Sequence, residues 1–336
     1  MSYCVHCGTE MKSGAAFCPG CGKAAPGDPS APLAAQSSPR PAGRFAENYL
    51  GFIIMGALLF AVAVLNIVVT LTGGISLYGS MGRFFGQSAY LYAIALGAAV
   101  SAWAKGPDLS IGPMLGLGAT VVIVMEAQGL QPGGILLSLL LCAAIGAANG
   151  AIITYARVPA IITTLITGSL ITSVFMLILN GQTIVPTRPL GYAVPAVLAL
   201  FALAFALVLI YRSRAKGPGR AGVLLSYVLS AVFAMAAGYI FAARIGAATP
   251  AMGSRMEIFI LFVYLAVTAS RRLRNTMGVM LYALAPALVW GLLQYGMSVL
   301  GVGIFWQYLV DVMLVLPFAV IRFLAADRTV PATGRV

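Results

Sequence analysis

The chain has 336 residues, of which 61% are hydrophobic and 8% charged, and its mean hydropathy is +0.98. A soluble domain cannot bury that much apolar surface, so composition excludes a water-soluble enzyme and leaves a polytopic membrane protein. The net charge of +12 does not point to nucleic acid, because the basic residues flank apolar runs instead of forming one patch.

The polar head comes first. Cys4-x-x-Cys7-Gly8 and Cys18-Pro19-Gly20-Cys21-Gly22 are two knuckles, each offering two thiolates where glycine lets the backbone turn. Together Cys4, Cys7, Cys18 and Cys21 supply four sulfurs for one tetrahedral, structural zinc ion. Two disulfides or one redox pair are the alternatives. The doubled motif argues against a redox pair, and a reducing cytosol argues against disulfides. His6 lies between two ligands as a bystander. Residues 1–23 resemble a short zinc ribbon, too small to bury a core without metal. Its few basic residues give no reason to expect a nucleic-acid partner.

Residues 24–43 are rich in Ala, Pro, Ser and Gly, with prolines at 26, 29, 32, 39 and 41. This is a linker, extended in part as polyproline II, that tethers the ribbon to the rest. The first apolar run starts at Tyr49, behind a polar head, and is read as a span instead of a signal peptide.

Residues 44–326 form the transmembrane domain, all-α, with about ten spans. The first is Tyr49–Leu71. Residues 72–87, glycine-rich and polar, are expected at the surface or re-entering, and Ser88–Ala104 makes the second span. A broken third follows, then Gly134–Tyr155, Ala160–Leu179, Tyr192–Tyr211, Gly222–Ala243, Glu257–Ser270, Thr276–Val299 and Ile304–Leu324. With both termini inside, Lys105, Arg157, Arg212, Arg214, Lys216, Arg220, Arg271, Arg272, Arg274, Arg322 and Arg328 are cytoplasmic. Arg83, Arg188, Arg244 and Arg255 fall outside, an asymmetry that fixes the orientation in the inner, plasma membrane. Gly150-Ala-Ile-Ile-Thr-Tyr and Gly291-Leu-Leu-Gln-Tyr close spans of opposite direction, a faint echo of spans two to five in seven to ten.

The third span holds the chain's main irregularity, Asp108-Leu-Ser-Ile-Gly112-Pro113. If Gly112 or Ser110 caps a helix with Pro113 first and the helix ends near Ala127, its fifteen residues reach about 22 Å. That is short of a hydrocarbon core of about 30 Å, so Asp108–Gly112 is non-helical chain inside the membrane, shielded by protein or water. Asp108 either faces a substrate path or caps and ties the break, and Ser110 shares its position. Asn149 hydrogen-bonds across helices or lines the path, and Thr163, Thr164 and Thr167 line it or satisfy their own helix. Asp311, mid-span without a nearby basic residue, must be protonated, paired or wet. Glu126, Glu257, Asn180 and Gln182 are expected at the outer surface, and Cys142 as apolar filling. No Ser-His-Asp set, histidine cluster or phosphate-binding glycine loop occurs, so no enzyme is read.

The break, Gly146-Ala-Ala-Asn-Gly150 and Arg157-Val158-Pro159 followed by Ile161, Ile162, Thr163 and Leu165 resemble the permease subunits of ABC importers. The class is that of ribose and branched-chain amino acid importers. Gly181-Gln182-Thr183, Ala248-Thr249-Pro250-Ala251-Met252-Gly253 and Leu300-Gly301-Val302 with Phe305-Trp306-Gln307 follow in the same order, so the likeness covers roughly 44–325. It implies a second permease subunit, homo- or heterodimeric, and an external solute-binding protein. It also implies a cytoplasmic ATPase that alone uses ATP. The solute is a sugar, nucleoside or similar small polar molecule. Arg212, Arg214, Lys216, Arg220, Arg271, Arg272 and Arg274 are then the candidate contacts with a cytoplasmic partner. Two family features are replaced. The loop 212–220, with Gly217, Pro218 and Gly219, is too short and broken for a docking helix. Ala269–Arg274 stands where the family has glycines. A membrane scaffold or sensor that signals through the ribbon is the rival reading.

Overall fold

Backbone in a bilayer must satisfy its own hydrogen bonds, so apolar runs of this length fold as helices. The computed structural model describes residues 2–3, 10–11, 41–72, 77–104, 106–191, 219–269 and 276–327. The chain divides into two compact units, Met1–Ala46 and Glu47–Val336. In the first, strands β1 (Ser2–Tyr3) and β2 (Glu10–Met11) pair antiparallel, Ser2 opposite Met11 and Tyr3 opposite Glu10.

Nine α-helices are described: α1 Pro41–Thr72, α2 Leu77–Ala104, α3 Ile111–Ala127, α4 Gln131–Ala151, α5 Ala160–Leu179, α6 Arg220–Ile245, α7 Met256–Ala269, α8 Thr276–Val299 and α9 Ile304–Asp327. Among the described residues five segments are long and apolar enough to cross a membrane, in α1, α2, α4, α5 and α6; Ile111–Ala127, Met256–Thr268 and Ile304–Pro317 are shorter apolar helices. The chain is a multi-pass helical membrane protein. The expected span Tyr192–Tyr211, and with it a count of ten, lies outside the described residues, as do Lys105, Arg212, Arg214, Lys216, Arg271, Arg272 and Arg274.

Three expectations are corrected. Residues 77–87 are not a surface or re-entrant segment but the start of α2, where Phe84 is buried and stacks edge-on against Tyr295 at 6.1 Å. The helix α1 starts at Pro41, inside the expected linker; a first position loses nothing by lacking an N–H. In α3 the N-cap is Ser110 and the first residue Ile111, so Pro113 stands third, not first. It remains within the first turn, whose N–H groups have no intrahelical acceptor, so the ring breaks no bond.

The core is α3 and α6. Helix α6 packs on α2, α3 and α4, and α3 packs on α4, α5 and α7. Of the α6 span 72% is buried, against 28% for the α4 and α5 spans, so those two turn one face outward. Glycine makes the close approaches possible. A Cβ on Gly146 would sit 2.5 Å from the Tyr227 carbonyl oxygen, and one on Gly150 would sit 2.8 Å from the Leu224 Cα. This is a small-xxx-small helix contact, in which backbone meets backbone. A π-helical turn, Ile152–Ala156, then ends α4, and Arg157 at φ 59° turns the chain toward Pro159, the N-cap of α5.

Two segments break into the bundle. The first is residues 106–110, before α3, in which every residue is buried. It is level with Asn149, seven residues from the end of the π turn, and with Thr164 and Thr167, a few residues into α5. At 1.5 Å per residue that is about 10 Å inside the Arg157 end of the bundle. The second runs from Gly246 to Arg255. It pairs with the 180s loop through an antiparallel bridge between Ala248 and Ile184, then descends along α3. A Cβ on Gly116 would sit 2.7 Å from the Met252 carbonyl, and Gly253, at φ 76°, lies against the Gly112 carbonyl. Only glycine fits a left-handed position that also abuts backbone. Helix α7 therefore begins beside the start of α3, inside the bundle.

Candidate functional site

The Asp108 carboxylate is fully buried. Its Oδ1 accepts from the Ser110 amide at 3.1 Å and the Ser110 hydroxyl at 2.5 Å, and its Oδ2 accepts from the Ser230 hydroxyl of α6 at 2.8 Å. The Asn149 amide of α4 donates to Ser110 Oγ at 3.0 Å and its carbonyl accepts from Thr167 Oγ1 at 2.8 Å. Thr164 Oγ1 accepts the Leu109 amide at 3.1 Å while donating to the Ala160 carbonyl. Tyr227 donates to the Gly106 carbonyl at 3.3 Å. Three helices, α4, α5 and α6, thus meet on one stretch of unwound chain, and the orphan donors of a broken helix find partners. Thr163 is buried too, but its hydroxyl donates only within its helix, to the Pro159 carbonyl at 3.2 Å.

Beside this knot lies a cavity of about 250 Å³ lined by Leu109, Pro113, Leu165, Gly168, Ser169, Thr172 and Glu257. Thr172 stands twelve residues into α5, about 18 Å from that helix's start. Glu257, the second residue of α7 and half-buried, therefore lies partway along α5 and not at its outer end. The reason is the descent of residues 246–255, which begins α7 low. Sequence carried one signal of this: an apolar run of fourteen residues, too short to start at a surface and cross.

Glu126 is also not solvated. At 2% exposure its Oε2 accepts the Thr187 amide at 2.6 Å and its Oε1 accepts the Thr187 hydroxyl at 2.8 Å and the Arg188 amide at 3.0 Å. It pins the 180s loop onto the end of α3. Asn180, exposed, caps α5 at φ 49°, and Gln182 is exposed. The buried Cys142 thiol points at the Met114 carbonyl, 3.8 Å away.

Asp311 is far from the Asp108 knot in its contacts. Gln294 of α8 donates to both its oxygens, at 2.9 and 2.8 Å. An amide of α8 thus ties α9 as Asn149 of α4 ties α5. The short helices α3 and α7 precede these two pairs and adjoin each other.

Arg220 is exposed at the start of α6. Among the described residues no His, Cys, Asp and Glu cluster could hold a metal, and Cys4, Cys7, Cys18 and Cys21 lie outside them. The head nonetheless fits zinc. Residues 4–9, between β1 and β2 in sequence, carry the first knuckle, and the donor set is four thiols, the soft ligands of a structural zinc site.

Residues 3–24 match the zinc-ribbon domain. The helical part is similar to permease subunits of import systems. The ribose import permease protein of Escherichia coli (strain K12) is 26% identical over 294 residues, covering 77% of this chain and 90% of the relative. The autoinducer 2 import system permease protein of Enterobacter sp. (strain 638) is 27% identical, over 61% of this chain and 68% of the relative. The galactose/methyl galactoside import permease protein of E. coli (strain K12) is 27% identical, over 72% and 85%. No solved structure matches.

Proposed function

The helical domain is homologous to the permease subunits of ribose, autoinducer-2 and galactose ABC importers, and from this we propose that the chain is itself the membrane-spanning permease subunit of an ABC-type importer for a small polar solute such as a sugar. One observation carries the reading: a cavity beside two broken helices whose lining includes Glu257, Ser169 and Thr172. An ionisable group at this depth is costly unless used. A carboxylate and two hydroxyls are the acceptors and donors that a polyhydroxylated solute needs to leave water. The Asp108 knot holds the cavity wall and does not itself meet the solute.

Transport is alternating access, one half of the dimer rocking against the other while ATP is used by a separate cytoplasmic subunit. An external solute-binding protein delivers the cargo, and the exposed apolar faces of α5 and α9 meet lipid and the second permease. Both termini are cytoplasmic, and the ribbon holds zinc through Cys4, Cys7, Cys18 and Cys21 on a tether of residues 24–43. The transmembrane domain runs from 44 to 326. Arg212, Arg214, Lys216, Arg220, Arg271, Arg272 and Arg274 face the ATPase. The loop before α6 is too short for a docking helix. Coupling therefore runs through a heterodimeric partner permease or through the ribbon.

The test is affinity purification of the full chain from its native membrane. An ATPase and a second permease are expected to co-purify in fixed ratio. A chain that purifies with its ribbon partner but with no ATPase is the non-transporting scaffold instead.

A further inference from the structure

Where α4 stops and α5 and α6 start, the bundle borders an open cavity of about 460 Å³ whose lining includes Thr154, Arg157, Pro159, Ala160, Arg220 and Val223, both arginines being exposed. Its floor is apolar, made by Ile153, Val223 and Tyr227 buried against one another. Its two charged side chains, Arg157 and Arg220, are both positive. Arg157 is held at φ 59°, a conformation that suits Gly or Asn better than Arg. Ala160 is the first residue of α5 and Arg220 the first of α6; each start carries N–H groups without intrahelical acceptors and a partial positive charge. Thr154 Oγ1 is buried with no hydrogen-bond partner.

No carboxylate lines the cavity. The sequence holds only eight, and the four whose side chains are placed in the bundle lie elsewhere. Asp108 is held by Ser110 and Ser230, Glu126 by Thr187 and Asp311 by Gln294; Glu257 lines the other cavity.

The geometry points to a binding site for a phosphate-bearing anion, gripped by Arg157 and Arg220 across two helix N-termini. Guanidinium forks match phosphate oxygens in pairs, and helix starts favour the same charge. The headgroup of an anionic lipid and free phosphate share this chemistry, and the apolar floor suits the lipid. The placement at the cytoplasmic leaflet rests on the permease reading; anion binding does not.

The experiment uses the purified full chain without an ATPase, so a failure of transport leaves it untouched. Wild type, Arg157→Asn, Arg220→Gln, the double variant and Arg188→Gln are compared. Each is placed in phosphatidylcholine nanodiscs, with and without phosphatidylglycerol, and in detergent with inorganic phosphate or chloride at equal ionic strength. Thermal midpoint and native mass spectrometry are read. Wild type and Arg188→Gln are expected to retain one anion and gain midpoint. Each of Arg157→Asn and Arg220→Gln should weaken retention about tenfold, the usual worth of one charged hydrogen bond. Gain with phosphatidylglycerol alone assigns the lipid, and gain with phosphate alone assigns the free ion. If the double variant fails to fold, the single variants and wild-type retention decide. No retained anion in wild type, or equal retention by all variants, overturns the proposal.

Discussion

The Asp108 carboxylate accepts the Ser230 hydroxyl at 2.8 Å across 122 positions of sequence. This single bond joins the broken chain before α3 to the middle of α6, the most buried span. With Ser110 it accounts for both carboxyl oxygens, so Asp108 acts as a tie.

Asp108→Asn keeps one carbonyl acceptor, and the Ser230 hydroxyl can turn to accept from the new amide. It should fold and transport. Asp108→Leu strands the Ser110 and Ser230 donors and should cost roughly 2–4 kcal/mol. Thermal midpoint and uptake, measured together, separate the two. An Asn variant that is stable yet inactive would mean the charge itself is required.

The Gly146 contact makes a sharper steric prediction. Gly146→Ala drives a methyl into the Tyr227 carbonyl and should destabilise by about 1–3 kcal/mol. Gly133→Ala, whose nearest neighbour would be Met125 Cε at 3.8 Å, should leave stability equal or raised. Equal behaviour of the two variants in a thermal melt would contradict the packing described.

Much of this was legible in sequence, and the misses have a common physical cause. Hydropathy and the Gly-Pro break located the helices and the irregular stretch before α3, because lipid forces helix wherever the chain is apolar. It could not locate Glu257. A carboxylate beside an apolar run reads as a surface residue unless the preceding loop is known to descend, and that descent depends on Gly253 meeting Gly112. Glu126 was misread in the same way, since its partners Thr187 and Arg188 come from a distant loop. Residues 77–87 failed for the opposite reason. Their glycines looked like a break, but Phe84 and Ser88 pack against α8 and hold the helix.

Asp311 and Gln294 form a part-buried pair. Gln294→Leu should cost about 1–2 kcal/mol, and Asp311→Leu/Gln294→Leu should cost less than the sum of the singles. Additive losses in a double-mutant cycle would show that the pair is not coupled.

The head makes a compositional prediction. Elemental analysis of the full chain should find one zinc per chain, lost on replacing Cys4 and Cys7, or Cys18 and Cys21, with serine. A zinc-free chain with an intact, folded head would remove the ribbon reading.

The central claim is that a polar solute crosses beside Glu257. The direct measurement is ATP-driven uptake of labelled ribose and galactose into vesicles that hold the co-purified complex. Wild type should accumulate at least one of them. Glu257→Leu should lose uptake at least tenfold while keeping assembly and ATPase binding, and Glu257→Gln should retain part of it. Uptake unchanged by Glu257→Leu in a correctly assembled complex would contradict the account.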